Sequence, residues 1–266
     1  MLSGVLLKYM ASAPLPLAFE RSVEAEIYSR HAFVPPVLDI GCGDGIFAHL
    51  VFDEPIDTGI DPNGREIESA RQTGAYRELL QCNGDAIPKP DGSYQTIFSN
   101  SVLEHIADLE PVLRETHRLL APGGRFYLAV PSDKYDHFTA INLALGLLGL
   151  KRLAARYRRF FNAFWRHYHY LPPAGWMELV RGCGFEVVEC HSYGPRRMCV
   201  LDDLLVPLSL PSFLVKRATN RWVLFPSVRR RLLFPVYLVA RKFLANCSKV
   251  EGGGLVFLVL TKSGEK

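Results

Sequence analysis

The stretch VLDIGCGDG, residues 37–45, limits the possible folds of this chain more than any other. An apolar run that breaks into glycines at 41, 43 and 45 reads as a buried strand, a tight loop and the start of a helix. Bare backbone lets the loop turn sharply and lets a ligand approach its amides and the helix N-terminus. This is the opening unit of a mononucleotide-binding α/β fold. A dinucleotide fingerprint would need its third glycine at 46, where the chain has Ile46. Asp39 and Asp44 flank the loop. Two acids there repel a pyrophosphate and welcome a cation, which favours a sulfonium compound over NAD. Asp44 equally suits a helix cap.

The rest of the chain continues the alternation. RSVEAEIYSRHAF (21–33) predicts an amphipathic helix, and FAHLVFD a short one. PIDTGID predicts a second strand ending at Asp61, ELLQCNGDA a third ending at Asp85, and YQTIFSN a fourth ending at Asn100. DLEPVLRETHRLLAPGG predicts a helix stopped by Pro122-Gly123-Gly124, and RFYLAVPS a fifth strand. PPAGWMELVRGCG predicts a late helix, followed by strands in FEVVECHSY and GLVFLVLTKS. The expected fold is α/β, a doubly wound, mostly parallel sheet with helical insertions. Its parts would be an N-terminal helical cap (1–33), a cofactor-binding core (34–133), an aromatic lid (134–170), a core helix and strand (171–195), a basic apolar insertion (196–250) and a last core strand (251–266).

The acids fall at the carboxyl edge of such a sheet, where doubly wound folds bind ligands. Asp61 lies 22 residues past Asp39, a spacing that suits a grip on ribose hydroxyls. Asp85 could reach an adenine amino group, and Asn100 and Ser101 end the fourth strand. VLDIGCGDG, GIDPN, GDAIPKPDGSYQTIFSNSVLEHI and RETHRLLAPGGRFYLAVPS, in that order, resemble the successive motifs of class I S-adenosylmethionine-dependent methyltransferases of the small-molecule type. The likeness covers residues 34–132, and WMELVRGCGFEVVE resembles the family's late helix and strand. It implies a seven-stranded sheet with the last strand antiparallel. It also implies S-adenosylmethionine as cofactor and S-adenosylhomocysteine as product. Asp39, Gly41, Cys42 and Gly43 would then lie by the methionine moiety, Asp61 and Pro62 by the ribose, Asp85 and Ala86 by the adenine, and Asn100 and Ser101 beside them. Gln95 departs from the family, which usually has Asp there.

Methyl transfer onto O or N needs alignment in a dry pocket and a proton acceptor. His105 follows the fourth strand and would sit over the cofactor's reactive end, or else pack on the next helix. His167 and His169 in RHYHYLPP share one face if extended, as substrate contacts or as part of a packed aromatic lid. No metal site is expected. The six cysteines form no CxxC pair and read as reduced thiols, which suggests a cytoplasmic protein. MLSGVLLKYM resembles the start of a signal peptide, but its apolar run is too short.

The formal charge of +4 conceals a strong asymmetry. Residues 196–250 carry eleven Lys/Arg and two Asp/Glu, and residues 151–167 six Lys/Arg and no acid, which leaves −11 on the remainder. Arginines interleaved with Trp, Phe and Leu suit a peripheral anionic membrane surface or a lipid-linked substrate, a substrate lid, or an ordinary packed subdomain. Nucleic acid is the weaker alternative, since no RNA-binding module is visible. An inactive scaffold that keeps the fold is the contrasting reading. Prolines at 207, 211, 226 and 235 predict several short helices here, and no uninterrupted apolar stretch reaches the ~18 residues of a membrane span.

Overall fold

A computed structural model describes residues 2–263. Seven strands form one sheet in the order β3-β2-β1-β4-β5-β7-β6. They are β1 (Val37–Ile40), β2 (Ile56–Ile60), β3 (Tyr76–Leu80), β4 (Tyr94–Asn100), β5 (Leu120–Pro131), β6 (Phe185–Tyr193) and β7 (Leu255–Lys262). β1 to β5 pair in parallel, and β7 runs antiparallel between β5 and β6. The expected doubly wound sheet is therefore present.

Period-two alternation divides the core. Leu38 and Ile97 face one side with Phe126, Trp176 and Val180. Val37 and Phe98 face the other, where helices α1 (Leu2–Ser12) and α2 (Leu15–Tyr28) pack. Tyr28 meets five aromatic rings at 5.3–6.4 Å between centroids, four of them edge-on. Leu6 and Met10 are fully buried in the same layer, so the apolar N-terminal stretch serves as core. Helix α2 starts six residues before the predicted position, with Pro16 in its first turn, and stops at Tyr28.

Three other boundaries differ from expectation. β3 ends at Leu80, because β2 ends at Ile60 and the Ile60–Leu80 pair is its last rung. Asp85 thus lies in an exposed loop beyond the strand. After α3 (Ile46–Val51) and α4 (Gly64–Thr73), helix α5 (Leu109–Leu119) stops before Pro122, and β5 already begins at Leu120, with a register irregularity that absorbs the Pro-Gly-Gly. In the basic insertion, α9 (Arg196–Leu205), a 3-10 turn and α10 (Leu210–Thr219) run on almost continuously. Pro207 and Pro211 sit in first-turn positions, where a missing N–H costs nothing. This run of 24 residues is long and apolar enough to cross a membrane by length and composition, unlike the sequence expectation, and 28% of its most apolar window is buried. Two further helices follow, Pro226–Leu232 (α11) and Phe234–Phe243 (α12). The aromatic segment forms α6 (Ala140–Leu147) and α7 (Lys151–Trp165), and the late helix is α8 (Pro173–Gly182).

Candidate active site

The glycine loop hangs from β2. Gly41 and Cys42 both donate to the carbonyl of Ile60, at 2.9 and 2.8 Å. Gly43 N–H donates to Asp61 Oδ2 at 3.1 Å, while Asp61 Oδ1 accepts from Asn63 N–H at 2.8 Å. One carboxylate thus ties the loop after β1 to the turn after β2. Gly41 has φ +78°, and a Cβ there would collide with Val102. Gly41→Ala is expected to cost about 1–3 kcal/mol from backbone strain and overpacking, read as a lower midpoint in urea unfolding. Gly43 has φ +52°, and a Cβ there meets nothing within 4 Å. Its bare backbone therefore leaves space free in front of the loop.

That space is a cleft of about 350 Å³. Asp39, Gly41, Cys42, Gly43, Asp61, Asn100, Ser101 and His105 all line it. Asp39 is buried and accepts from the Tyr76 hydroxyl at 2.7 Å. Burial pushes its carboxyl up to about 7, against the Tyr76 hydrogen bond and with the charge of Asp61 adding. Burial likewise raises Asp61. Pro62 is exposed on the turn after β2, and Asp85 and Ala86 are exposed outside the cleft lining. Gly84 packs against Val112 of α5, which a Cβ on it would meet at 3.0 Å, with Ile40 of β1 at 3.6 Å.

Asp44 departs from the sequence argument. It accepts from Ile46 N–H at 3.2 Å as a local cap, but its other oxygen accepts from Lys216 Nζ at 2.8 Å and Trp222 Nε1 at 2.7 Å. Its charge is thus spent on the basic insertion, and the pull on a cation rests on Asp39 and Asp61. Lys216 also reaches Glu66 at 2.9 Å, and Asn220 bonds Arg65 O at 2.9 Å. Helix α10 and the turn after it are therefore strapped across the cleft. Nothing in the spacing of Lys216 or Trp222 marks them for this role, because the contact spans about 170 residues.

A second cavity, of about 300 Å³, adjoins the cleft at Arg21, Ser101, His105 and Trp222. Its walls are largely apolar, with Leu17, Tyr135, Phe161, Trp165 and Phe213 among them. His167 lines it and lies 5.4 Å from His105, ring to ring. Tyr168 N–H donates to Glu104 O at 2.8 Å, which brings the RHYHY stretch onto the turn after β4. Burial lowers His167 to about 4, with His105 adding to the effect. His169 is placed elsewhere: it faces Ala107 O at 3.3 Å and lines neither cavity, because the chain after Arg166 runs along that turn.

The residues that sequence reasoning missed come mainly from α2. Glu24 is fully buried and accepts from Arg21 Nη1 at 2.6 Å, Asn100 Nδ2 at 2.8 Å, Ser101 Oγ at 3.0 Å and Tyr193 Oη at 2.9 Å. Asn100 Oδ1 is buried and has no partner among the described residues. Glu20, Glu104 and Asp202 add carboxyls to the second cavity. Burial raises Asp202 well above the aspartate range, and the charges of Glu20 and Glu24 add to the shift. An unfolded aspartate ionises near pH ~4. Folded Asp202 holds its proton above that, so the folded state binds the extra proton and stability falls as pH rises. Asp202→Asn is therefore expected to gain melting temperature relative to the parent between pH 5 and 8, by about 2–4 °C per kcal/mol relieved.

A doubly wound sheet here carries a glycine loop, strand-end acids and an adjoining apolar cavity at one edge, an arrangement that suits a nucleoside ligand. A family model described as "Methyltransferase domain" matches residues 13–190, and the chain belongs to that family. It is 31% identical over 134 residues to a ubiquinone biosynthesis O-methyltransferase of Pseudomonas aeruginosa, covering 47% of this chain and 58% of that protein. It is 33% identical over 111 residues to the sterol 24-C-methyltransferase of Aspergillus fumigatus, covering 38% of this chain and 29% of that protein. The chain thus spans well under two thirds of these relatives. A solved S-adenosylmethionine-dependent methyltransferase of Thermotoga maritima, named as a possible histamine N-methyltransferase, has the same fold, with TM-score 0.57, 18% identity and coverage of 94% of this chain and 92% of that one. The [4+2]-cyclase SpnF also superimposes, with TM-score 0.57, 17% identity and coverage of 94% and 83%.

S-adenosylmethionine is the cofactor of this family, and the cleft fits it. The open face of Gly43 leaves room for the ligand, the buried Asp39 and half-buried Asp61 carboxyls border it, and Asn100 Oδ1, unpartnered among the described residues, offers an acceptor.

Proposed function

We propose that the protein transfers a methyl group from S-adenosylmethionine to an oxygen or nitrogen of a small or lipid-linked molecule held in the second cavity. The observation that carries this reading is the shared wall at Arg21, Ser101 and His105, which joins a polar cofactor cleft to an apolar cavity. Asp61 would take the ribose hydroxyls and Asn100 the methionine ammonium. The loop at Asp85 and Ala86, held near β1 by Gly84, would take the adenine. The cofactor supplies an electrophilic methyl. The chain itself has to orient the acceptor, exclude water and take up its proton. His105 borders both cavities and His167 lies 5.4 Å from it, which supports these two as the histidines that would contact the acceptor. Titration calorimetry with S-adenosylmethionine and S-adenosylhomocysteine tests the reading. Micromolar binding of both is expected, and no heat from either would overturn it.

The strap across the cleft should slow cofactor exchange. Lys216→Ala removes two charge-assisted bonds, and is expected to speed S-adenosylhomocysteine release about tenfold in stopped-flow displacement.

The basic insertion supports docking on an anionic bilayer. Leu208, Leu214, Phe225, Leu232 and Val239 are each at least 62% exposed. Arg217, Arg221, Arg230, Arg231 and Arg241 are exposed among them, and no acid occurs between Asp203 and Glu251. Exposed apolar side chains interspersed with exposed arginines would match an interface with acidic headgroups. Co-sedimentation with phosphatidylglycerol vesicles at low salt is expected, and equal binding to neutral vesicles would overturn the electrostatic part.

A further inference from the structure

We propose that the second cavity takes an amine, an ammonium head on an apolar body, with Glu104 receiving the proton of the nitrogen to be methylated and Asp202 as a second anchor. This rests on the methyltransferase reading above and assigns the acceptor class within it.

The first ground is the charge of the lining. Glu20, Glu104, Asp202 and Asp203 line the cavity, against one cation, Arg21. That guanidinium is already engaged, at 2.6 Å by Glu24, at 3.3 Å by Glu20 and at 2.7 Å by Ser101 Oγ. Glu20 is further tied to the Tyr135 hydroxyl at 3.1 Å, and Asp203 accepts from Ala140 N–H at 2.9 Å. The second ground is what remains. Glu104 is 3% exposed and, among the described residues, its Oε2 has no partner; Asp202 is 5% exposed and neither of its oxygens has one among them. A buried carboxyl without donors is costly to keep, and a fold that keeps two in one apolar cavity leaves their donors to a ligand. An ammonium supplies both the donors and the opposite charge. A carboxylate ligand would add to the repulsion, and an alcohol offers a single donor.

The position of Glu104 suits the proton transfer. It precedes His105, which borders the cofactor cleft, and its Oε1 stands 3.8 Å from His105 Nε2. Burial pushes Glu104 up to about 8, opposed by Arg21 and assisted by Glu20 and Glu24. In the empty cavity Glu104 is thus largely protonated at neutral pH, and the charge of a bound ammonium returns it to the carboxylate that accepts the proton. The ammonium N–H gives its proton to Glu104, which frees the nitrogen lone pair. A C–N bond then forms as the methyl–sulfur bond breaks, and its electron pair leaves on sulfur. The product is a methylammonium, again a cation.

The test uses three probes of one shape, 3-phenylpropylamine, 3-phenylpropanol and 3-phenylpropionate, titrated into the protein saturated with S-adenosylhomocysteine. The amine is expected to bind at least about tenfold tighter than the alcohol, and the carboxylate not to bind. In Glu104→Gln and Asp202→Asn the amine should weaken about tenfold or more while the alcohol changes little; binding of S-adenosylhomocysteine reports that each variant is folded. Equal binding of amine and alcohol, any preference for the carboxylate, or an amine preference retained in both variants would overturn the proposal. S-adenosylhomocysteine binding without amine binding sinks this inference alone, whereas its absence sinks the methyltransferase reading.

Discussion

Glu24→Ala is expected to lower the stability of the fold by about 3–5 kcal/mol, because it strips a buried cation of its partner. Glu24 is fully buried and accepts from four side chains on three parts of the chain. Arg21 is on α2, Asn100 and Ser101 end β4, and Tyr193 ends β6. Without the carboxylate, the Arg21 guanidinium keeps only Glu20 and Ser101, and three neutral donors lose their acceptor. Glu24→Gln separates charge from shape. It keeps one acceptor oxygen, so it should recover part of the loss but leave Arg21 under-compensated. Urea unfolding at pH 7 measures both variants. A loss below about 1 kcal/mol for the alanine would show that water replaces the carboxylate and that the network is no hub.

Asp61→Ala is expected to weaken S-adenosylhomocysteine binding by about 100-fold or more, with little effect on the melting temperature. Two losses combine. The Gly43 and Asn63 amides lose their carboxylate acceptor, so the glycine loop and the turn after β2 are released from one another. On the proposed function, the ribose would lose its carboxylate partner as well. Charge-assisted hydrogen bonds contribute about 1.5–3 kcal/mol each, and two of them account for the factor. The sheet itself does not depend on Asp61, since the Gly41 and Cys42 amides bond to Ile60 O. Calorimetry beside thermal melting would show affinity lost from a folded protein. Asp61→Asn should fall between, as it keeps an acceptor but no charge.

The sheet and the cleft could be read from the sequence because their signals are local. Glycine positions, strand-end acids and alternating apolar runs all lie within about 65 residues, and they placed Asp39, Asp61 and Asn100 at one edge. The second cavity was far less legible. Glu20, Arg21 and Glu24 sit in a helix whose pattern shows only amphipathicity, and their meaning comes from Asn100 and Tyr193, 76 and 169 residues away. Glu104 was overlooked beside His105, since a single acid after a strand carries no signature. RHYHY was noticed for its histidines, but period two would have aimed His167 and His169 alike. The observed turn at Arg166, with φ +56°, breaks that symmetry and sends only His167 inward. The charge on Asp44 was read as free because its partners, Lys216 and Trp222, follow far along the chain.

The segment between β6 and β7 supplies Asp202, Phe213 and Trp222 to one cavity and Lys216 to the rim of the other. The β6–β7 ladder closes without it, from Phe185–Lys262 to Tyr193–Leu255. Change within this excursion can therefore reshape the acceptor cavity while strand pairing stays intact. Because α10 also straps the first cleft through Lys216, a change in this excursion that reshapes the second cavity acts on the strap as well.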